Sequence, residues 1–493
     1  MLFNSLQFLI FFPVVTALYF LLPHRVRWAL LLVASCYFYM VFKPVYILIL
    51  AFTIAIDYCA GILIAGAEGK RRKWFLIASI FANVGVLAFF KYYNFFNQSW
   101  ADLLHLTGLS LPTPPMLDIL LPIGLSFHTF QSLSYTIEVY RKKHSAERHL
   151  GIFALYVMFY PQLVAGPIER PQNLLWQFKK KHYFEYDRVI AGLQLMIWGL
   201  FKKIVIADRL APFANEVYNQ PHSYEGISLI VATVFFAFQI YCDFSGYSDV
   251  ALGSAQVMGF KLMQNFDRPY FSKSIAEFWK RWHISLSTWF RDYLYISLGG
   301  SRVSPPRWYF NLFFTFLISG LWHGANWTYI VWGAINGFYL IAEIQWQPLI
   351  NDKILPALHS SFSRWAFRAL QVLVTFAMVC IAWIFFRANS ISDAFYVLTH
   401  LFDGLNNLPK NLLSLPFIKQ NILLGRDKFD FIVALAAIAF LLVTHFLQRK
   451  ESGRAMLERQ NVWTRMAFYY ALVLAIFFFG AFNESQQFIY FQF

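Results

Sequence analysis

Apolar runs about as long as a bilayer is thick recur along almost the whole chain. In residues 5–22, 45–64, 226–242 and 365–386, for example, charged side chains are rare or absent. A helix needs ~20 such residues to cross a hydrocarbon core ~30 Å thick. Only 14% of all residues are charged, against roughly 25% in soluble domains. The sequence therefore predicts an all-α polytopic membrane protein. It excludes a β-barrel, whose strands require segments of alternating polarity.

The apolar runs predict about twelve crossings plus re-entrant and interfacial helices, in one integral membrane domain over residues 1–493. Basic clusters at 70–73 and 141–143 separate some of these runs. Lys and Arg collect in cytoplasmic loops, which places both termini outside. The formal charge of +15 is explained by the same bias, so no nucleic-acid partner is predicted. The remaining crossings are predicted at 28–42, 74–92, 117–139, 189–206, 308–322, 326–345, 429–447 and 466–483.

Two segments interrupt this pattern. The apolar run 150–164 has basic residues on both sides, contains Pro161 and leads into the Gly-Pro pair at 166–167. Because broken backbone at membrane depth must be covered by protein or face water, we predict a buried re-entrant segment here. The lysine pair at 202–203 lies in the outer half of the next crossing, against the charge rule.

The stretch EFWKRWHISLSTWFRDYLY, residues 277–295, combines aromatic, basic and hydroxyl side chains. Wound as one helix, it places Trp279, His283 and Ser287 on a largely apolar face and Lys280 and Arg281 on the opposite one. This pattern predicts an interfacial helix whose apolar side carries His283.

His323 lies one apolar segment later, near the end of a hydrophobic run. Gly320 and Gly324 remove side-chain bulk on both sides, so that a substrate or another backbone can come close. Trp322 and Asn326 add polar donors and a flat apolar wall. The residues alone leave a functional and a packing role open for His323, as they do for His283.

Further ionisable residues lie within or beside apolar segments, where burial is costly. For His128 and His445, a neutral ring bonded to a neighbouring helix is the favoured interpretation. Asp243 and Tyr247, in the segment DFSGYSD, are interpreted as structural partners of the basic stretch 277–295, with a polar vestibule as the alternative. The sequence has no GxSxG, Walker or HExxH motif and no zinc-ligand spacing, so no bound metal is predicted.

Several motifs resemble those of one known family. WHISLSTWFRDYLYISLGGSR and SGLWHGANWTYIVWG are accompanied by FYPQLVAGPIERP, QIYCDFSGYSDVALG and a terminal FIYFQF. On these motifs the chain is similar, over nearly its whole length, to the membrane-bound O-acyltransferase family. It most resembles a bacterial branch that contains alginate O-acetyltransferases and D-alanyl transferases of teichoic acids. The length and the terminal motif favour the alginate type.

The resemblance implies a fold and a set of site residues. The implied fold is an irregular ring of transmembrane helices around a central tunnel, which joins a cytoplasmic donor site to an outward-facing acceptor site. By motif position, His323 would be the catalytic histidine and His283 the second one. The residues expected to contact substrate are Trp279, Ser287, Trp322, Asn326, Asp243 and Tyr247.

The resemblance also implies a reaction at the bacterial inner membrane. An acetyl group would pass from acetyl-CoA, a substrate and not a bound cofactor, towards an exported polysaccharide such as alginate. Periplasmic acetylation proteins and membrane lipids are the other expected partners. A neutral imidazole, with a pKa of ~6.5, is suited to take the hydroxyl proton.

Two alternatives to this reaction remain open. One is D-alanyl or other acyl transfer to a cell-envelope polymer. The other is export of a polymer or lipid by a transporter whose histidines relay protons. Transporters often consist of two matching halves, and no internal repeat is evident in this sequence.

Overall fold

The computed structural model describes residues 1–109, 111–119, 121–449, 451, 453–482 and 488–489. All regular elements within these ranges are helical, which confirms the predicted all-α fold class. Over the same ranges, seven helical stretches are long and apolar enough to cross a membrane. The chain forms two compact units, Met1–Met196 with Ser248–Gln264 and Ile197–Tyr247 with Asn265–Phe493. The ring, its tunnel and the single domain stay predictions.

The α-helices differ widely in length, from three residues to 32. In chain order they are α1 (Leu6–Leu21), α2 (His24–Met40), α3 (Tyr46–Gly66), α4 (Gly69–Leu87), α5 (Tyr93–Thr107), α6 (Leu125–Tyr140), α7 (Leu150–Met158), α8 (Pro171–Lys179), α9 (Tyr186–Leu200), α10 (Asp208–Tyr218), α11 (Ile227–Met258), α12 (Ile275–Arg281), α13 (Ile284–Trp289), α14 (Pro305–His323), α15 (Trp327–Leu349), α16 (Leu355–Ala357), α17 (Ser361–Arg387), α18 (Ile391–His400), α19 (Leu408–Asn411), α20 (Leu415–Phe417), α21 (Lys428–Leu447), α22 (Gly453–Glu458) and α23 (Val462–Phe479).

The predicted crossing at 117–139 was wrong at its start, because α6 begins only at Leu125. Proline recurs from Pro112 to Pro122, and proline neither donates a backbone hydrogen bond nor lets the preceding residue adopt a helical conformation readily. Gly124 then enters α6 with a left-handed φ of 77°. Between the predicted crossings 74–92 and 117–139, the chain is helical through α5 as far as Thr107.

The helix break predicted from Pro161 and the Gly-Pro pair at 166–167 is confirmed within the first unit. Helix α7 ends at Met158, and the chain stays irregular but buried until Pro171 begins α8. Its backbone is held by side chains: Tyr156 donates its hydroxyl proton to the carbonyl of Glu169 over 2.8 Å, and Gln162 donates to the carbonyl of Tyr156 over 2.9 Å. These bonds satisfy backbone groups that the missing helix leaves open.

The first unit also buries a carboxylate between two crossings. Asp57 of α3 accepts hydrogen bonds from Ser79, over 2.7 Å, and from Asn83, over 2.8 Å, both in α4. Ser79 and Asn83 take the place of water around the buried carboxylate of Asp57. Their hydrogen bonds therefore hold α3 and α4 together.

In the second unit, α14 and α15 form a tight antiparallel pair. A Cβ added to Gly320 would lie 2.2 Å from the carbonyl oxygen of Tyr329, and one added to Gly333 would lie 2.4 Å from that of Phe316. Small residues of this kind let two membrane helices approach backbone to backbone. The pair places the end of α14, and with it His323, beside the start of α15.

Candidate active site

The single helix predicted over 277–295 was wrong, since the chain turns at His283. Helix α12 ends at Arg281, His283 adopts a left-handed φ of 44°, and α13 starts at Ile284. A continuous pattern at 100° per residue persists across the turn because both short helices bury one face. Periodicity therefore cannot reveal such a break.

The turn is held by hydrogen bonds from both directions. His283 caps α13, because its Nδ1 accepts the backbone N–H of Leu286 over 3.3 Å. Asn265 accepts two further backbone N–H groups: its carbonyl accepts that of Ile284 over 2.9 Å, and its side-chain oxygen accepts that of Ser285 over 3.3 Å. A left-handed conformation is uncommon for a residue other than glycine and persists only where its surroundings fix it, often at functional sites.

These contacts also fix the chemical form of His283. Because Nδ1 accepts a hydrogen bond, the proton of the neutral ring lies on Nε2, which is a donor. The side chain is 1% exposed. This turn lies outside the candidate spans, and burial lowers the pKa of the imidazole to about 3. His283 is therefore neutral at physiological pH.

His323 is enclosed by aromatic side chains. It is the last residue of α14 and is 5% exposed. Its ring lies 4.9 Å from that of Trp322, 4.9 Å from that of Trp332 and 5.3 Å from that of Phe386, measured between centroids. These aromatic side chains form three walls around the imidazole, and we call them the aromatic box.

Trp322 connects the two histidines. Its ring contacts the ring of His323 directly, and its centroid lies 6.5 Å from that of His283 with the two planes nearly perpendicular. The structure therefore brings both predicted histidines to one indole, from two different elements of the second unit.

The glycines beside His323 serve helix packing. Gly320 faces the backbone of α15, and a Cβ on Gly324 would lie 2.1 Å from the ring of Tyr329. Asn326 caps α15, since its side-chain oxygen accepts the N–H of Thr328 over 3.0 Å. Its amide donates to the carbonyl of Asn389 over 3.2 Å.

Trp279 and Ser287 lie on either side of the turn. The indole N–H of Trp279 donates to Asn336 over 3.3 Å, and its ring packs 5.6 Å from that of Trp332. Trp279 thus reaches one wall of the aromatic box. The hydroxyl of Ser287 donates to the carbonyl of Trp282 over 3.1 Å, so it supports the turn itself.

Asp243 is part of a buried ionic cluster. Its carboxylate lies 2.8 Å from the amine of Lys203, which also lies 2.7 Å from Asp208. Its other oxygen accepts the backbone N–H of Ile489 over 2.7 Å. Structural pairing was the favoured interpretation of Asp243, but the partner expected in 277–295 was wrong. The cation is supplied by the π-helical segment Phe201–Ala207.

Tyr247 lies one turn of α11 beyond Asp243. Its ring stacks 4.7 Å from Phe488, in the part of the terminal FIYFQF motif that the structure describes, while residues 490–493 lie outside the described range. Phe244, between them in sequence, packs 5.9 Å from Phe488 and 4.6 Å from His283. The ionic cluster thus supports a side chain that contacts the turn.

Several of these supporting residues were not predicted. Asn265 and Phe386 gave no signal, because an asparagine in a loop and an aromatic residue in an apolar helix are common. Trp332 lies in the motif SGLWHGANWTYIVWG but was not singled out within it. Lys203 did give a signal, since a cation inside a predicted crossing requires a counter-charge. No three His, Cys, Asp or Glu side chains among the described residues form a group that could hold a metal ion.

Comparison with known proteins places this geometry in a family. Residues 149–388, which contain both histidines, match the model of the membrane-bound O-acyltransferase family. The chain is 41% identical to a probable alginate O-acetylase of Pseudomonas aeruginosa, over 82% of the chain and 75% of that protein.

Two further relatives are less similar to the chain and are named after other polymers. A peptidoglycan O-acetyltransferase of Helicobacter pylori is 33% identical over 100% of the chain and 98% of its own length. A teichoic acid D-alanyltransferase of Streptococcus thermophilus is 26% identical over 66% of the chain and 84% of its own length. The chain therefore belongs to the membrane-bound O-acyltransferase family and is a multi-pass membrane O-acyltransferase.

Proposed function

We propose that this protein transfers an acetyl group from acetyl-CoA, on the cytoplasmic side of the bacterial inner membrane, to a hydroxyl of an exported polysaccharide. His323 is the general base, and His283 is a hydrogen-bond donor to the reacting carbonyl oxygen. The observation that carries the proposal is the meeting of two buried histidines at Trp322.

The surroundings of His323 fit a base. Aromatic side chains enclose the imidazole on three sides and limit the access of water, and a neutral imidazole can accept a proton. Such a base contributes typically 10²–10⁴-fold to the rate. Trp322, Trp332 and Phe386 also provide flat apolar surfaces against which a small acyl group can lie.

His283 fits the complementary role. Its Nδ1 accepts the N–H of Leu286, so Nε2 carries the proton and can donate to an oxyanion. The left-handed turn fixes the ring before the substrate arrives. Donors aimed in advance at a developing charge contribute roughly 10²–10³-fold in known enzymes.

The reaction then balances as an ordinary acyl transfer. The acceptor oxygen attacks the thioester carbonyl carbon while His323 takes its proton. The tetrahedral intermediate, with its oxyanion near Nε2 of His283, collapses as the carbon–sulfur bond breaks. The proton passes to the departing thiolate, which leaves an ester on the acceptor and a free thiol on the donor.

The other predicted residues take supporting places in this proposal. Trp279 extends the wall formed by Trp332, and Ser287 and Asn326 hold the turns on which the histidines lie. Asp243 and Tyr247 support Phe244 and the terminal segment. In this account Trp322 is the side chain that contacts the acyl group.

The relatives favour acetyl over D-alanyl transfer. The two more similar relatives are named an alginate O-acetylase and a peptidoglycan O-acetyltransferase, and the D-alanyltransferase is more distant. Both acetyl acceptors named there are glycans, which supports an exported polysaccharide, with alginate as the first candidate. A periplasmic acetylation protein would receive the acetyl group or present the polymer. An export-only transporter is set aside by the family assignment.

Reconstituted vesicles test this function. Radiolabelled acetyl-CoA is supplied on one face and alginate, with or without a periplasmic extract, on the other. We expect label in alkali-labile esters of the polymer, and none when free acetate replaces acetyl-CoA. Esterification from a D-alanyl donor alone would contradict the acetyl assignment, and polymer transport without any ester would contradict acyl transfer.

A further inference from the structure

A groove of about 330 Å³ lies in the second unit, apart from both histidines. Its floor is the π-helical segment Phe201–Ala207, through Phe201 and Val205, and its walls are α21 and α23. All lining side chains are Phe, Leu, Val or Ala. Cavities of roughly 300–1,000 Å³ are large enough for a small ligand, but specific polar ligands need a few placed donors or acceptors. This lining offers none.

The two walls face the bilayer. Both α21 and α23 are candidate membrane spans, and only 28% and 6% of their apolar windows are buried inside the protein. Side chains that line the groove are themselves exposed, such as Phe440 at 37% and Phe479 at 40%. The groove is therefore continuous with the surface that contacts lipid.

Polar contacts close the groove at one end. Arg209 donates to the carbonyl of Phe479, at the end of α23, over 2.6 Å, and pairs with Asp430 at the start of α21. The N–H of Ala481 donates to Ile204 in the π-helical segment over 3.1 Å. These bonds hold the two helices at that end.

We propose that the groove binds one hydrocarbon chain of a bilayer phospholipid. Lipid is the one apolar partner that surrounds this surface at high concentration, and an acyl chain needs only dispersion contacts and exclusion from water. The lining alanines Ala436 and Ala471 leave the space that larger side chains would fill. The inference is independent of the proposed function.

The bound chain would brace the π-helical segment. Phe201 and Val205 face the groove, whereas the neighbouring Lys202 and Lys203 reach Ser245 and Asp243. A π-helical segment has wider, less regular hydrogen bonding than an α-helix and often occurs at functional sites. Filling the groove thus stabilises the segment that anchors the ionic cluster.

Photocrosslinking of the full chain in nanodiscs tests the site. The probe is a phosphatidylethanolamine with a diazirine at mid-chain, and labelled peptides are identified by mass spectrometry. We expect labelling of α21 and α23 to concentrate on the groove. Ala471→Trp, which fills it, should reduce this labelling about tenfold. Ala439→Trp, on the exposed face of α21 but not in the lining, is the matched control and should leave it unchanged.

A second measurement tests the proposal even where Ala471→Trp folds poorly. Delipidation of the wild type should lower its thermal midpoint, because a ligand that binds only the folded state stabilises it. Ala436→Phe, which fills the groove less completely, should lose less on delipidation. Equal labelling of wild type and Ala471→Trp, or labelling spread evenly over exposed positions such as Phe477, would overturn the proposal. So would equal delipidation sensitivity of wild type and Ala436→Phe.

Discussion

The two histidine motifs hold their imidazoles in different ways. His283 lies in a left-handed turn fixed by backbone hydrogen bonds, whereas His323 ends a long helix and is surrounded by the aromatic box. Hydrogen bonds determine which ring nitrogen carries a proton, and aromatic walls determine how dry the ring is. In the proposed reaction, His283 is the fixed donor and His323 is the base.

The support behind the two motifs differs as well. Phe244, which packs on His283, follows Asp243 of the buried ionic cluster. His323 depends on backbone contact between α14 and α15 at Gly320 and Gly333. The ionic cluster behind His283 and the glycine packing behind His323 can be altered by separate substitutions. The support of each histidine can therefore be tested independently.

The largest effect is expected at the ionic cluster. Lys203→Met leaves Asp208 and Asp243 buried without their cation, which costs about 3–5 kcal/mol in known proteins. Thermal unfolding in detergent, followed by loss of the monodisperse chromatographic peak, measures this. Lys202→Met removes a bond to the neutral Ser245 and should cost clearly less. Equal losses for the two variants would show that the paired charges are not what holds this region.

His283→Asn should separate the turn from the chemistry. Asparagine tolerates left-handed backbone and caps helices, so stability should stay near that of the wild type, while loss of the Nε2 donor should slow acyl transfer about 10²–10³-fold. His283→Ala should lose the same activity and also unfold about 1 kcal/mol more easily. Wild-type activity in His283→Asn would show that His283 only caps α13 and is not a donor in the reaction.

Gly320→Ala tests the packing that places His323. An added Cβ meets the backbone oxygen of Tyr329, a contact that rotation of a side chain cannot relieve, so we expect a loss of about 1–3 kcal/mol. The same substitution at Gly85, where nothing lies within 4 Å of an added Cβ, should be neutral or stabilising by up to about 1 kcal/mol. Thermal midpoints of the two variants in one detergent give the comparison.

The smallest effect is expected at Asn326. Asn326→Ala removes the cap of α15 and should cost about 1 kcal/mol with a modest fall in activity. Asn326→Asp keeps the capping oxygen and should recover the stability. If Asn326→Asp is as inactive as an enzyme without its base, the amide contacts substrate, as the family resemblance implies, and capping is secondary.

Much of the architecture could be predicted from the sequence. The apolar runs gave most helices, and Pro161 with the Gly-Pro pair at 166–167 gave the break after α7. Both histidines were identified by motif. Two predictions were wrong because they depended on contacts between residues distant in sequence. The turn at His283 depends on Asn265, and the partner of Asp243 is Lys203.

The walls of the aromatic box show the same limit. Trp332 and Phe386 lie in apolar helices where large side chains are expected for packing alone. Only the folding of α15 and α17 in the second unit brings them to His323. Side chains contributed by separate helices have no spacing along the chain that a sequence pattern could detect.

The rate of acetyl transfer by His323→Ala, in vesicles and normalised to folded protein, tests the central claim most directly. The account predicts a loss of about 10²–10⁴-fold with unchanged abundance and thermal midpoint. The exposed His359 provides the surface control, and His359→Ala should match the wild type. Acetyl transfer by His323→Ala at the rate of that control would contradict the role of His323 as the base.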